Sequence, residues 1–397
     1  MNHKERMLRV MSGEEVDVMP VEFFVGSEFL CRHSGVSTLD FFYEPDARAK
    51  QKAKAHLAFL DRFRPDAIVI WSRGQPKHLR ERWKYDATDG RAFVADTFTG
   101  KRWPMSDDHY AVFMDELPPP GPYHFERGEV EVIVNGKQYF AIPAKFEIRT
   151  VADIDRLFPL EPVESVIERG MFEVIRTMAA ACGDTEYIEA NGIGSMFRFA
   201  LGIIGFPDGY IFMREQPVVF KYLMQRLTEQ NIEYAKAFRK LGADGVHCGD
   251  LWAGADLISQ QDWMEFVFPY SRELNREMRT LGLKIKYYFV GNVKPRLAVL
   301  KHLEMDSLAV EESFGIDIAQ VRAALGSNVC LHLNLNAINL VDHGTPAEIE
   351  EAIATQVEAT GGPKRLICSL GSEVTLNTPP ENIDALIAAA HRYRIPG

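Results

Sequence analysis

The sequence predicts an α/β fold of the (β/α)8 TIM-barrel type, with a β-hairpin-rich insertion after the second strand. Three observations predict it. Eight short apolar runs read as strands. Long amphipathic helical patterns flank most of them. The chain's 397 residues suffice for one large barrel with insertions. Strands alternating with helices mean βαβ units and a parallel sheet.

The elements follow in order. MNHKERMLRVMSGEEVD reads as an amphipathic helix and lacks the apolar core of a signal peptide. PVEFF (20–24) and AIVIW (67–71) are the first two strands. Residues 80–145 then break the alternation. YDATDGRAFVADTFTGKRW carries a DG and a TG, and VEVIVNGKQYFAI places Asn135-Gly136 between β-like runs, a strong hairpin signal. LPPPGP (117–122) between them reads as a loop. This stretch is expected as an insertion within a single barrel domain spanning 1–397. The remaining strands are YIEAN (187–191), DGVHCGD (244–250), KIKYYFV (284–290), SLAVEE (307–312), VCLHLNL (329–335) and RLICSL (365–370). The long helical pattern at 214–244 has Pro217 suited to a first turn and Gly242 suited to a stop. Two more helices are expected at 346–362 and 380–393.

Composition excludes some functions. A formal net charge of −11 without a Lys/Arg run argues against nucleic acid, whose affinity rests on phosphate neutralisation. No apolar run approaches the roughly 18–20 residues that cross a bilayer. Five scattered cysteines without a CxxC pair point to a reducing, cytoplasmic compartment.

Side chains alternate along a strand. In CLHLNLN, Leu331, Leu333 and Leu335 share one face, which should meet the surrounding helices. Cys330, His332, Asn334 and Asn336 then look inward, towards the C-terminal mouth where barrel enzymes build their sites. The same alternation groups Tyr187, Glu189 and Asn191, and likewise Lys286, Tyr288, Val290 and Asn292. Val246, Cys248 and Asp250 are expected to face inward, with His247 on the opposite face. Glu22 ends the first strand and Trp71, Ser72 and Arg73 the second. Glu311 or Glu312 ends the sixth, and Ser369, Gly371 and Glu373 follow the last. A mouth so rich in carboxylates and amides suits ligand binding or chemistry. Gly192 and Gly194 in NGIGSMF form a GxG without a Rossmann unit around it, and read as a loop allowing close approach to the site.

Four segments carry a family resemblance: KERMLRVMSGEEVDVMPVEFF, GADGVHCGDLWAGADLIS, EFVFPYSRELNREMRTLGLKIKYYFVGN and the tail from NLVDHGTPAEIEEAI to LNTPPENIDALIAAA. Over nearly the whole chain the sequence resembles the uroporphyrinogen decarboxylase superfamily. That superfamily includes cobalamin-dependent methyltransferases that demethylate methanol, methylamines, methyl thiols and aryl methyl ethers. The resemblance implies a (β/α)8 barrel, with a homodimer as one option.

Departures from the pattern narrow the function. The decarboxylases carry an arginine-rich loop after the first strand and an aspartate after the second. Here those places read PVEFFVGSEF and Trp71-Ser72-Arg73. The thiol-activating methyltransferases hold zinc with His-x-Cys and a later Cys. Here those positions are Tyr288, Val290 and Ser372, which cannot supply that donor set. Whether a non-standard metal site exists stays open, with His247 its weak candidate.

The resemblance therefore implies a methyltransferase that takes a methyl group from a small methylated substrate, such as an aryl methyl ether. It passes that group to the cobalt of a corrinoid protein. Asp250, Tyr288, Glu189, Glu373 and His332 are the candidate acids or proton relays. Glu22, Trp71, Arg73, Asn191, Trp252, Asn292, Asn334 and Asn336 are the candidate substrate contacts. Phe23, Trp71, Tyr287 and Trp252 are the aromatic supply. The rival expectations are a cofactor-independent decarboxylase or other lyase, and a non-catalytic binding barrel.

Overall fold

Eight parallel strands form one sheet in the computed structural model of the chain, which describes residues 1–43, 49–74, 77–107, 111–116, 131–134, 137–139 and 147–395. They are β1 (Glu22–Phe23), β2 (Ala67–Ile70), β3 (Tyr187–Ala190), β4 (Gly245–Asp250), β5 (Lys284–Phe289), β6 (Ser307–Val310), β7 (Cys330–His332) and β8 (Leu366–Ile367). Each falls inside one of the eight apolar runs. Each pairs with its neighbour in chain order. The seam between β8 and β1 is closed by parallel bridges at Val21–Cys368 and Val25–Val374. Two backbone hydrogen bonds reinforce it: Glu22 N–H donates to the Cys368 carbonyl (3.0 Å), and Cys368 N–H to the Pro20 carbonyl (2.8 Å). The sheet is thus the predicted TIM barrel, with helices between successive strands.

Local chemistry explains the helix ends. The long helix Pro217–Leu241 starts with proline, whose missing N–H would be unpaired there anyway. It stops at Gly242, whose φ of 105° disfavours other residues. The predicted 214–244 pattern in fact divides, because Asp208–Glu215 is a separate helix. Helix Pro346–Ala359 opens with a Thr345/Glu348 capping box, and Pro380–Ala390 closes the chain's helical set. Among the described residues, no helix is long and apolar enough to cross a membrane.

The insertion follows β2 as expected. Trp83–Thr88, Arg91–Asp96 and Arg102–Pro104 form an antiparallel sheet, turning at Asp89-Gly90 with positive φ at both residues. Glu131–Val134 and Lys137–Tyr139 pair antiparallel, as the second hairpin signal required. The Asn135-Gly136 turn itself and the 117–122 loop lie outside the described residues.

One strand is turned the other way from its expectation. His247 pairs in register with Lys286, and Gly249 with Tyr288. Residues level with one another on parallel neighbours share a face, so His247 looks into the barrel alongside Lys286. Val246, Cys248 and Asp250 face the helices instead. Asp250 accepts from the Trp263 indole N–H (2.9 Å) and the Ser271 hydroxyl (3.1 Å), both on helices packed outside the sheet. Cys248 lies 3.8 Å from Asn275 on the same layer.

Candidate active site

A cavity of about 440 Å³ opens at the C-terminal mouth of the barrel. One side is a row of four rings, each from a different strand or the residues just after it. Trp71 stacks on Phe24 (5.4 Å between centroids, 29°), Phe24 meets His247 (5.2 Å), and His247 meets Tyr288 (5.4 Å). The row is held from behind. The Trp71 indole N–H donates to the Val25 carbonyl (2.9 Å), and its backbone N–H donates to His56 Nε2 (3.1 Å). The Tyr288 hydroxyl donates to the Gly371 carbonyl (2.7 Å). Burial and the nearby carboxylates of Glu311, Glu312 and Glu373 push that phenol far above its usual range.

Glu373 stands beside this row. Burial, with the charge of Glu28 added, raises its carboxyl to about 7. A Cβ on Gly26 would lie 3.5 Å from Glu28 Oε2, 3.6 Å from Glu373 Cδ and 2.9 Å from the Val374 carbonyl oxygen. Only the contact with Val374 is too close for a side chain, so glycine lets the backbone after β1 pass tightly against the segment that carries Glu373.

The opposite wall comes from the loop and helix after β3. Gly192 and Gly194 have φ of 103° and 83°, and residues 192–195 line the cavity with Arg198 and Phe199. A Cβ on Gly194 would lie 2.7 Å from Cys248 Cβ, so the loop passes this close to β4 only because it is glycine. The expected close-approach loop is thus present. Arg73 also lines the cavity. Its Nε donates to the Gly192 carbonyl (2.7 Å), and its guanidinium lies 5.3 Å from the centre of the Tyr234 ring.

Beneath the rings lies a buried charged layer. Glu22 is paired with Lys286 and stands 3.1 Å from His332 Nδ1. His332 Nε2 and the Ser307 hydroxyl are 3.0 Å apart. Burial alone would raise the Glu22 carboxyl, but Lys286 and His332 hold it well below its ordinary value. Glu189 has no such partner. Burial and the Glu22 charge lift it to about 8, although Lys286 opposes them. Burial and Lys286 depress the imidazoles of His332 and His247, so both are neutral near pH 7.

A family model described as uroporphyrinogen decarboxylase (URO-D) matches residues 140–393, well over half of the sequence. The chain belongs to the uroporphyrinogen decarboxylase family. Curated relatives include the uroporphyrinogen decarboxylase of Myxococcus xanthus, 28% identical over 254 residues, covering 62% of this chain and 70% of that protein. They also include the methylcobamide:CoM methyltransferase MtbA of Methanosarcina mazei, 25% identical over 174 residues, covering 43% of this chain and 49% of that protein. A solved methyltransferase from Methanosarcina mazei shares the fold with a TM-score of 0.67 at 19% identity, over 99% of both chains. This chain is thus similar in sequence both to decarboxylases and to a methyltransferase.

Within that family frame, the predicted residues divide into three groups. Trp71, Arg73, Asn191, Tyr288 and Glu373 line the cavity. Glu22, Glu189 and His332 lie in the charged layer beneath it. The others stand elsewhere. Asp250 serves the helix layer, as described. Trp252 packs its ring 4.4 Å from Phe206. Asn292 accepts from the Lys294 N–H in a loop (3.2 Å), Asn334 donates to the Ile316 carbonyl (3.2 Å), and Asn336 caps the helix Ala337–Asp342. These three amides bond nearby backbone, in loops or at a helix start, and none of them lines the cavity. Of the expected aromatics, Phe23 and Tyr287 point outward, Phe23 against Phe59 (6.1 Å). Phe24, Glu28, Arg198 and Phe199 were not expected, and His247, expected only as a weak metal candidate on the other face of its strand, lines the cavity instead. Phe24 was readable, since it alternates with the inward Glu22.

The positions where relatives that activate thiols would hold zinc do not suit the metal. Tyr288 is bonded to a carbonyl, Val290 is aliphatic, and the Ser372 hydroxyl is 3.4 Å from Glu312. Among the described residues, no three His, Cys, Asp or Glu side chains are grouped to hold a metal ion. His247 lines the cavity without such company.

Proposed function

We propose that this chain transfers a methyl group from a small methylated aromatic compound, an aryl methyl ether, to the cobalt of a corrinoid carried by a separate protein. Glu373 beside the row of rings is the observation that carries this reading. An aromatic substrate packs against the row of Trp71, Phe24 and Tyr288, where contacts between rings are favourable. An aryl ether gives up its methyl group readily only if the departing oxygen is protonated. Glu373 is suited to supply that proton, because its carboxyl titrates near 7. As the methyl–oxygen bond breaks, the oxygen takes the Glu373 proton. The reduced cobalt of the partner's corrinoid supplies the nucleophile that accepts the methyl group. Tyr288, Arg73 and Asn191 hold the substrate. Glu22, Glu189 and His332 shape the field beneath it. The spread of five unpaired cysteines supports a reducing, cytoplasmic setting. We take residues 1–397 as one barrel unit with its insertion.

The test is a methyl-transfer assay. The protein is mixed with reduced cobalamin, free or protein-bound, and a panel of methoxylated aromatics, methylamines and methyl thioethers. Formation of methylated cobalamin is followed by absorbance. Turnover confined to methoxylated aromatics, and lost in Glu373→Gln, supports the reading. Turnover with the other classes alone removes the aryl ether.

A cofactor-independent lyase reaction is the second reading. Glu189 favours it, as a carboxyl kept protonated inside the barrel. Product formed without any corrinoid would select it.

A further inference from the structure

β4 turns Gly245, His247 and Gly249 towards the barrel interior. A Cβ at Gly245 would lie 1.8 Å from the Tyr187 hydroxyl, and one at Gly249 would lie 1.8 Å from the Tyr288 carbonyl oxygen. His247 is therefore the one inward side chain on this strand larger than hydrogen. It sits in the ring row between Phe24 and Tyr288. A phenylalanine would complete that row equally well. The imidazole instead brings two nitrogens, and its Nδ1 is buried with no hydrogen-bond partner. Nδ1 is shut off from solvent, so Nε2 is the nitrogen that a ligand in the cavity can bond, and covering it without a partner would be costly.

The surroundings select the ligand group. Lys286 and His332 face the ring from β5 and β7, and Glu22 faces it from β1. Glu311, Glu312 and Glu373 surround the adjoining Tyr288. An ammonium here meets Lys286, and a carboxylate meets the acidic side chains. A neutral group avoids both conflicts. A ring nitrogen of a neutral imidazole is a donor or an acceptor according to the tautomer, and a hydroxyl can pair with it in either case.

We infer that His247 is a specificity-determining residue that hydrogen-bonds a hydroxyl on the aromatic substrate, so that the site takes phenolic methyl ethers in preference to ethers without a hydroxyl. This inference rests on the aromatic reading of the same cavity.

The experiment measures binding to the full-length protein by calorimetry, without corrinoid. The probes are ortho-methoxyphenol and ortho-dimethoxybenzene. The wild type should prefer the phenol by about tenfold or more, as expected when a buried polar group is left unpaired by the analogue. His247→Phe keeps the row of rings and should lose the preference, binding the two probes alike. His247→Gln, which can still hydrogen-bond, should recover part of the preference. Thermal melting checks that each variant is folded. If the wild type binds both probes equally, or His247→Phe keeps the preference, the inference is overturned while the aromatic reading stands. If the wild type binds neither probe, the aromatic reading fails and the inference fails with it.

Discussion

Glu22 and Lys286 form an ion pair across the interior of the barrel. Their strands, β1 and β5, are four apart in an eight-stranded ring and so stand on opposite sides of it. Both residues are almost fully buried, at 0% and 3% exposure. Glu22→Gln leaves Lys286 charged and uncompensated. It should cost about 3–5 kcal/mol, visible as a lower denaturation midpoint. The double variant Glu22→Gln/Lys286→Met should recover much of that loss. A double variant no more stable than the single one would mean the pair is not the dominant interaction.

Glu373 predicts a pH profile. Its carboxyl titrates near 7, so the protonated form needed for transfer is depleted above that value. Methyl transfer under single-turnover conditions should fall as pH rises through about 7. Glu373→Gln should lower the rate by about a hundredfold to ten-thousandfold and abolish that limb of the profile. An unchanged limb in the variant assigns the titration to another group.

Glu189 makes the fold itself sensitive to pH. Its folded carboxyl titrates at about 8, against an ordinary 4.5 in the unfolded chain. The neutral form therefore contributes stability that is fully present below about 4.5 and is lost as pH rises through about 8. Glu189→Gln stays neutral throughout. Its denaturation midpoint should decline less than that of the wild type between about pH 5 and about pH 9.

Asp250 separates stability from chemistry. Its carboxylate accepts from Trp263 and Ser271 behind β4, away from the cavity. Asp250→Ala strands both donors and should cost about 2–4 kcal/mol. The folded fraction should keep its rate constant for methyl transfer. A rate loss with stability intact would return Asp250 to the reaction.

Trp71 tests the ring row. Trp71→Ala removes one end of it and its stacking on Phe24. KM for an aromatic substrate should rise about threefold to tenfold, as expected for the loss of one aromatic contact. An unaltered KM would place the substrate elsewhere in the cavity.

The barrel was legible in the sequence because eight apolar runs separated by helical stretches leave few other architectures. Strand phase was harder. In CLHLNLN every second residue is leucine, so one face is plainly apolar and His332 had to look inward. In GVHCGD both faces carry polar groups, and no alternation argument decides between them. The pairing of His247 with Lys286 decides it, and that pairing is a relation between strands. Asp250 misled because a carboxylate at a strand end looks functional, whereas here two helix side chains satisfy it. The wall formed by Arg198 and Phe199 is set by how a loop folds back over the mouth, which neither residue announces in the sequence. Asn334 and Asn336 followed the right face but lie too far along the chain, where the strand has become loop.

The charged layer of Glu22, Lys286, His332 and Glu189 also fixes the order of events. It lies beneath the cavity, so among the described residues the mouth is the way in and out. A corrinoid protein reaching for the methyl group must cover that same mouth. On the proposed chemistry the small substrate has to enter first and its demethylated product leaves last, after the larger partner has gone. The kinetics should be compulsory-ordered. An excess of the corrinoid protein should inhibit by capping empty barrels, and that inhibition should be relieved by more of the small substrate.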